Sequence, residues 1–340
     1  MSNNIKKPYQ ANLVLQSELY NLSSITTDAT IENKFQICLT KLNDISTRKI
    51  ALNDIRNLIS QNVSNPKSLR HFISALKITN KSNHLSHNAI ESQASIYGIL
   101  SEEYKQQLYD PLDKPPNLIK TIARLLSQLR EGYLSINNQI QNAVAESYLK
   151  ILIYSMPKDD IPLIIIVFFE PLINTISSGV NLIIQQGAAL VLCKLIEYIG
   201  GGMVHNLNSN LLEIVADKAI NNLLKGTITD NEYVIESLYQ LLLNVKFDIF
   251  IDKLKELYVK LISCLQIKEF SYQFKISVLK VFSLIADNLL NMDNKEREKI
   301  IGYFQQDIIK ILNDKTSDRI HKVQLKAREA LNKWKELENI

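Results

Sequence analysis

The stretch ILNDKTSDRIHKVQLKAREALNKWKEL, residues 311–337, decides the fold. Its second half places Val323, Ala327, Ala330, Trp334 and Leu337 at steps of four and three, which sets all five on one helical face. Lys322, Lys326, Lys333 and Lys335 project elsewhere. A polar turn near Ser317 separates this helix from another that starts near Lys295. Two helices in a row thus each carry one apolar face, and one pair cannot bury both faces by itself. Stacked neighbours can.

The same pattern extends back along the chain. Val278, Leu279, Phe282, Ile285, Ala286 and Leu289 share a helical face. Caps and breakers place first helices near Ile31, Pro66, Pro116, Ile161, Asn208, Ile249 and Lys295. Second helices start near Thr47, Asn88, Ile136, Asn181, Asn231, Phe270 and Ser317. Asn65-Pro66 reads as N-cap and first helical residue, as does Asp160 before Ile161-Pro162, and Asp293 with Glu296 makes a capping box. The period of roughly 36 to 50 residues is that of HEAT and armadillo arrays. The expected fold is all-α: an α-solenoid of six to seven helix pairs. Residues 30–340 are expected to form one domain, after a polar N-terminal segment, 1–29, able to form one short helix. YDPLDKPP, residues 109–116, reads as an ordered crossover, and Gly200-Gly201-Gly202 as a helix end and linker.

Composition agrees. The 340 residues are 46% hydrophobic and 22% charged, a globular balance that excludes disorder over most of the length. Nine glycines and eight prolines are too few for a turn-rich all-β fold. The greasiest run, Leu163–Phe169, is far shorter than the roughly 20 residues of a membrane helix, so no membrane insertion is expected. No secretory signal pattern opens the chain. Cys38, Cys193 and Cys264 stand far apart in apolar segments and read as small core hydrophobes in a reducing compartment.

Constellations that carry chemistry are missing. Gly200 to Gly202 lead into Met203-Val204 rather than the Lys-Ser/Thr of a phosphate-cradling loop. His84 and His87 have no third ligand nearby, so no metal is expected. No G-x-S-x-G elbow appears, and no cysteine has a recognisable histidine partner. Glu170 reads as a helix-end carboxylate and Trp334 as core. The expectation is a protein that is not an enzyme and has no cofactor.

The net charge of +4, with a pI of about 8.7, is too small to imply nucleic-acid binding. Its distribution says more. Lys315, Arg319, Lys322, Lys326, Arg328, Lys333 and Lys335 face only Asp318 and Glu329 between residues 315 and 335. In a helix-pair solenoid the turns inside the pairs line one edge. These turns hold Ser46-Thr47-Arg48-Lys49, then Lys81, Lys225, Lys268 with Tyr272 and Lys275, and Lys315 with Arg319 and Lys322. The third and fourth turns are polar and uncharged apart from Arg130 and Glu131. Such an edge suits a large acidic protein surface.

Phe35–Ile59 (FQICLTKLNDISTRKIALNDIRNLI), Val180–Glu197 (VNLIIQQGAALVLCKLIE) and residues 311–337 resemble, in order, the N-terminal domain of the Tortifolia/Spiral microtubule-associated proteins. That domain is a HEAT array related to the TOG domains of microtubule polymerases. The resemblance implies binding to tubulin or the microtubule lattice, with other cytoskeletal proteins as further partners and a cytoplasmic, microtubule-associated location. By position it points to Thr47, Arg48, Lys49, Lys81, Lys268, Lys275, Arg319 and Lys322. TOG domains that bind free tubulin usually carry a Trp in the first turn. Ile45-Ser46 stands there, which favours lattice or partner binding. The alternative is a general solenoid adaptor that holds a protein or peptide in its concave groove.

Overall fold

The computed structural model describes residues 28–80, 86–109, 117–127, 138–157, 160–178, 182–201, 210–225, 231–302 and 304–337. All regular structure among them is helical. The chain divides into two compact units, Met1–Asn83 and His84–Ile340.

The first unit contains α1 (Asp28–Lys41), α2 (Arg48–Gln61) and α3 (Pro66–Asn80), with α1 packed on both others. Ile31, Phe35 and Leu39 of α1, Ala51, Ile55 and Ile59 of α2, and Phe72 and Leu76 of α3 are buried. The Phe35 and Phe72 rings meet at 4.6 Å. Asn65 Oδ1 accepts the Lys67 N–H at 3.1 Å, the expected cap. Residues 1–27, most of the N-terminal polar segment, lie outside the described residues.

The second unit is a two-layer α-solenoid. One layer holds the second helices of the pairs: α4 (His87–Tyr104), α6 (Asn138–Tyr154), α9 (Leu182–Gly200), α11 (Glu232–Asn244), α13 (Tyr272–Leu290) and α16 (His321–Glu336). Each packs on the next. The other layer holds α5 (Asn117–Ser127), α7 (Ile161–Ile164) running through a π turn (Ile165–Phe169) into α8 (Glu170–Ser177), α10 (Asn210–Lys225), α12 (Leu254–Gln266), α14 (Asn294–Ile301) and α15 (Gln305–Lys315). A 3-10 turn, Phe247–Lys253, leads into α12.

Successive second helices are stitched by side chains that recur at the repeat spacing. Ser147 Oγ donates to the Ala94 carbonyl (2.7 Å), Ser237 Oγ to Ala189 (3.1 Å) and Trp334 Nε1 to Phe282 (3.0 Å). Short donors need close helices, and the glycines record how close. A Cβ on Gly98 of α4 would lie 2.9 Å from Lys150 Cδ, and one on Gly200 would lie 2.1 Å from Asn244 Cγ. Trp334 is fully buried against Phe282 and Tyr258, as its place on the apolar face requires.

Ser86, Asp160, Asn231 and Ser271 cap α4, α7, α11 and α13 through their side chains. Two local expectations fail. Asp293 occupies the N-cap of α14, yet its side chain caps no N–H, so the capping box does not form. The single helix expected from Lys295 is also broken at Gly302, and α15 restarts at Gln305. The crossover residues 110–116 lie outside the described residues.

Candidate functional site

In the first unit the turn between α1 and α2 is fixed by its own polar groups. Asp44 Oδ1 accepts the Ser46 N–H at 2.9 Å and its hydroxyl at 2.8 Å. These two bonds, with Arg48 nearby, hold the Asp44 carboxyl below its ordinary value. Helix α1 ends with carbonyls outside its regular hydrogen-bond ladder; Lys41 O accepts the Asp44 N–H at 3.3 Å, and two of the predicted site residues add side-chain bonds at this end. Thr47 Oγ1 donates to Lys41 O at 2.9 Å and Arg48 Nε to Leu42 O at 3.2 Å. Arg48 Nη2 is buried, with no hydrogen-bond partner among the described residues. Thr47 and Arg48 therefore close the turn, while Lys49 is exposed. Beside it stand Ile45, 77% exposed, and Ile50, 59% exposed.

Lys81 lies outside the described residues, as do His84, Arg130, Glu131 and the fifth turn beyond Lys225. In the second unit the sixth and seventh turns are described throughout. Lys268 is exposed, and its carbonyl accepts the Lys275 ammonium at 3.0 Å, which draws Lys275 back over the sixth turn. Burial, followed by the positive charge of Lys275 and to a smaller degree of Lys268, pushes the Lys315 ammonium below its ordinary value; Asp318 and Asp314 offset this only in part. The fold thus gathers Lys268, Lys275 and Lys315 from two consecutive turns. Asp318 is engaged by its own turn: Oδ1 accepts the Ile320 N–H at 3.0 Å, and its carbonyl accepts Gln324 Nε2 at 2.6 Å. Arg319 and Lys322 are exposed beside it.

Away from the turns several lysines have partners. Across the second-helix layer Lys150 pairs with Glu102 (3.0 Å), Lys280 with Glu236 (3.4 Å) and Lys333 with Asp287 (2.6 Å). Lys218 pairs with Glu170 and Lys253 with Asp217 in the other layer. Lys326 pairs with Glu329 at 2.5 Å. The basic run of residues 315–335 is therefore divided, with Lys326 and Lys333 neutralised and Lys315, Arg319 and Lys322 without an ion pair among the described residues.

Reasoning from sequence missed the exposed apolar residues that accompany these cations. Ile267 is 37% exposed, Tyr272 41% and Ile320 42%. The available signal was that Ile45, Ile267 and Ile320 fall in turns, off the helical period that places core residues.

No group of three or more His, Cys, Asp or Glu among the described residues is placed to hold a metal ion. Burial, with Glu236 and Glu197 nearby, pushes the Cys193 thiol up to about 12, and burial pushes Cys264 up to about 11. Neither is a thiolate at neutral pH. A cavity of about 30 Å³ lined by Ile173, Ile220, Leu238 and Leu241 is apolar and has room for little more than one water. No helix among the described residues is long and apolar enough to cross a membrane.

The fold is that of a helical-repeat solenoid. The model of the TORTIFOLIA1 N-terminal family matches residues 30–336, and the chain belongs to that family. Among solved structures, the designed armadillo repeat protein YIII(Dq)4CqI is similar over 88% of this chain and 99% of its own, at 14% identity and a TM-score of 0.28. A search of curated proteins finds no match.

Proposed function

We propose that this protein is a non-catalytic, microtubule- or tubulin-binding HEAT protein of the cytoplasmic cytoskeleton, acting as one TOG-like array over residues 30–340. Contact runs through the turns inside the helix pairs. Family membership and the Tortifolia/Spiral resemblance support the partner. The observation that carries the site is the contrast in pairing. Lys150, Lys280 and Lys333 on the second helices are ion-paired between repeats, whereas Lys268, Lys275, Lys315, Arg319 and Lys322 have no ion pair among the described residues. Unpaired cations give long-range attraction to an acidic surface, and paired ones give little. This favours the turns over a concave adaptor groove. Lys49, with Ile45 and Ile50, is the contact assigned to the first turn, and Lys81 to the second.

The test is co-sedimentation of the full chain with stabilised microtubules. Saturable pelleting that is weakened by Lys268→Glu with Lys275→Glu supports the assignment. Unchanged pelleting by that double variant would remove the sixth turn from the interface.

A further inference from the structure

The last two turns combine two features. Three ammonium groups gather there, from Lys268, Lys275 and Lys315. Asp318 and Asp314 act on Lys315 from nearby, yet none of the three lysines forms an ion pair among the described residues. Three exposed apolar side chains, Ile267, Tyr272 and Ile320, stand in the same two turns. In a helical-repeat layer, neighbouring turns lie about 8–10 Å apart. In an extended chain, alternate side chains recur every 6–7 Å or so, so glutamates two residues apart can reach lysines on both turns while the residues between face away.

Other polyanions fit less well. A nucleic acid tracks a long cationic groove with stacking aromatics, whereas Tyr272 is the one exposed aromatic among the described residues of these turns. A phosphate is best gripped by bidentate arginine, and the three converging groups here are lysines, which act as point charges.

We propose that the sixth and seventh turns dock an extended acidic polypeptide segment. Its carboxylates lie among Lys268, Lys275 and Lys315, and one of its apolar side chains packs against Ile267, Tyr272 and Ile320. This rests on the reading of the basic turns as a docking edge, and adds that its last two turns take a flexible acidic strand rather than a folded surface.

The experiment is fluorescence anisotropy on the full chain with a labelled glutamate-rich peptide of about a dozen residues bearing one central Phe. Lys268→Glu with Lys275→Glu and Lys315→Glu should weaken binding about tenfold or more, and Lys49→Glu less than about twofold. Replacing the peptide's Phe by Gly should cost about threefold. The Lys→Gln triple variant, checked by circular dichroism for an unchanged melt, guards against misfolding and should lose nearly as much. Absence of peptide binding at low salt, or triple variants that bind within about twofold of wild type, overturns the proposal. Equal affinity for a single-stranded oligonucleotide or for phosphatidylserine vesicles, lost in the same variants, also overturns it in favour of a general polyanion site. Microtubule pelleting run alongside separates the two claims. Peptide binding without pelleting defeats the microtubule reading alone, and pelleting without peptide binding defeats this inference alone.

Discussion

The first turn and the last two look alike in sequence, basic residues following a helix end, but the structure uses them differently. In the first turn Arg48 and Thr47 are spent on the carbonyls that close α1, which leaves one lysine between two exposed isoleucines. In the sixth turn Lys275 folds back onto the Lys268 carbonyl, in the seventh the Asp318 turn does the closing, and Lys268, Lys315, Arg319 and Lys322 are left without an ion pair among the described residues. Whether a turn's cation is available to a partner is therefore decided by what else can satisfy the helix end. The first turn is an apolar contact with a charge beside it, and the last two are a charged contact with apolar residues beside it.

That comparison can be broken or sharpened by substitution. The largest expected effect is on charge. Lys268→Glu with Lys275→Glu should lower microtubule affinity about tenfold at low salt, against about twofold for Lys49→Glu, read by co-sedimentation. Equal losses would erase the distinction. Next, Arg48→Ala should lower the stability of the first unit by about 1–2 kcal/mol, because it removes a carbonyl's partner and the packed stem of the side chain. Arg319→Ala should stay within about 0.5 kcal/mol, and urea unfolding followed by circular dichroism compares the two. Ile45→Ser with Ile50→Ser should weaken binding about threefold and by the same factor at every salt concentration; a loss that tracks salt would contradict an apolar contact. Smallest is Lys105→Gly. Lys105 holds φ 48° just after α4, a conformation natural to glycine, so the exchange should raise the unfolding free energy by about 0.5–1 kcal/mol, read by urea unfolding. It should leave binding at both ends unchanged.

Much of the scaffold was legible because a solenoid repeats its signals. Helices expected near Pro66, Asn88, Ile161 and Asn231 begin at Pro66, His87, Ile161 and Glu232, where proline, serine, aspartate and asparagine caps mark them. The last helix was expected near Ser317 and starts at His321, because the Asp318 turn intervenes and delays it. The π turn at Ile165–Phe169 left no trace in the sequence. An unbroken apolar run has the same composition whether its hydrogen bonds close on the fourth or the fifth residue. The site was legible as a set of basic turns but not side chain by side chain. Arg48 and Arg319 are both arginines in basic turns, and only the geometry shows that one folds back while the other faces solvent. The exposed isoleucines were hidden for the opposite reason, since an apolar residue next to a helix is read first as core.

The most direct test of the account is a salt titration of wild-type protein pelleting with stabilised microtubules. The account predicts saturable binding at low salt that weakens steadily as salt rises, because the unpaired lysines of the last two turns supply most of the attraction. Absence of pelleting at low salt, or pelleting indifferent to salt, would contradict it.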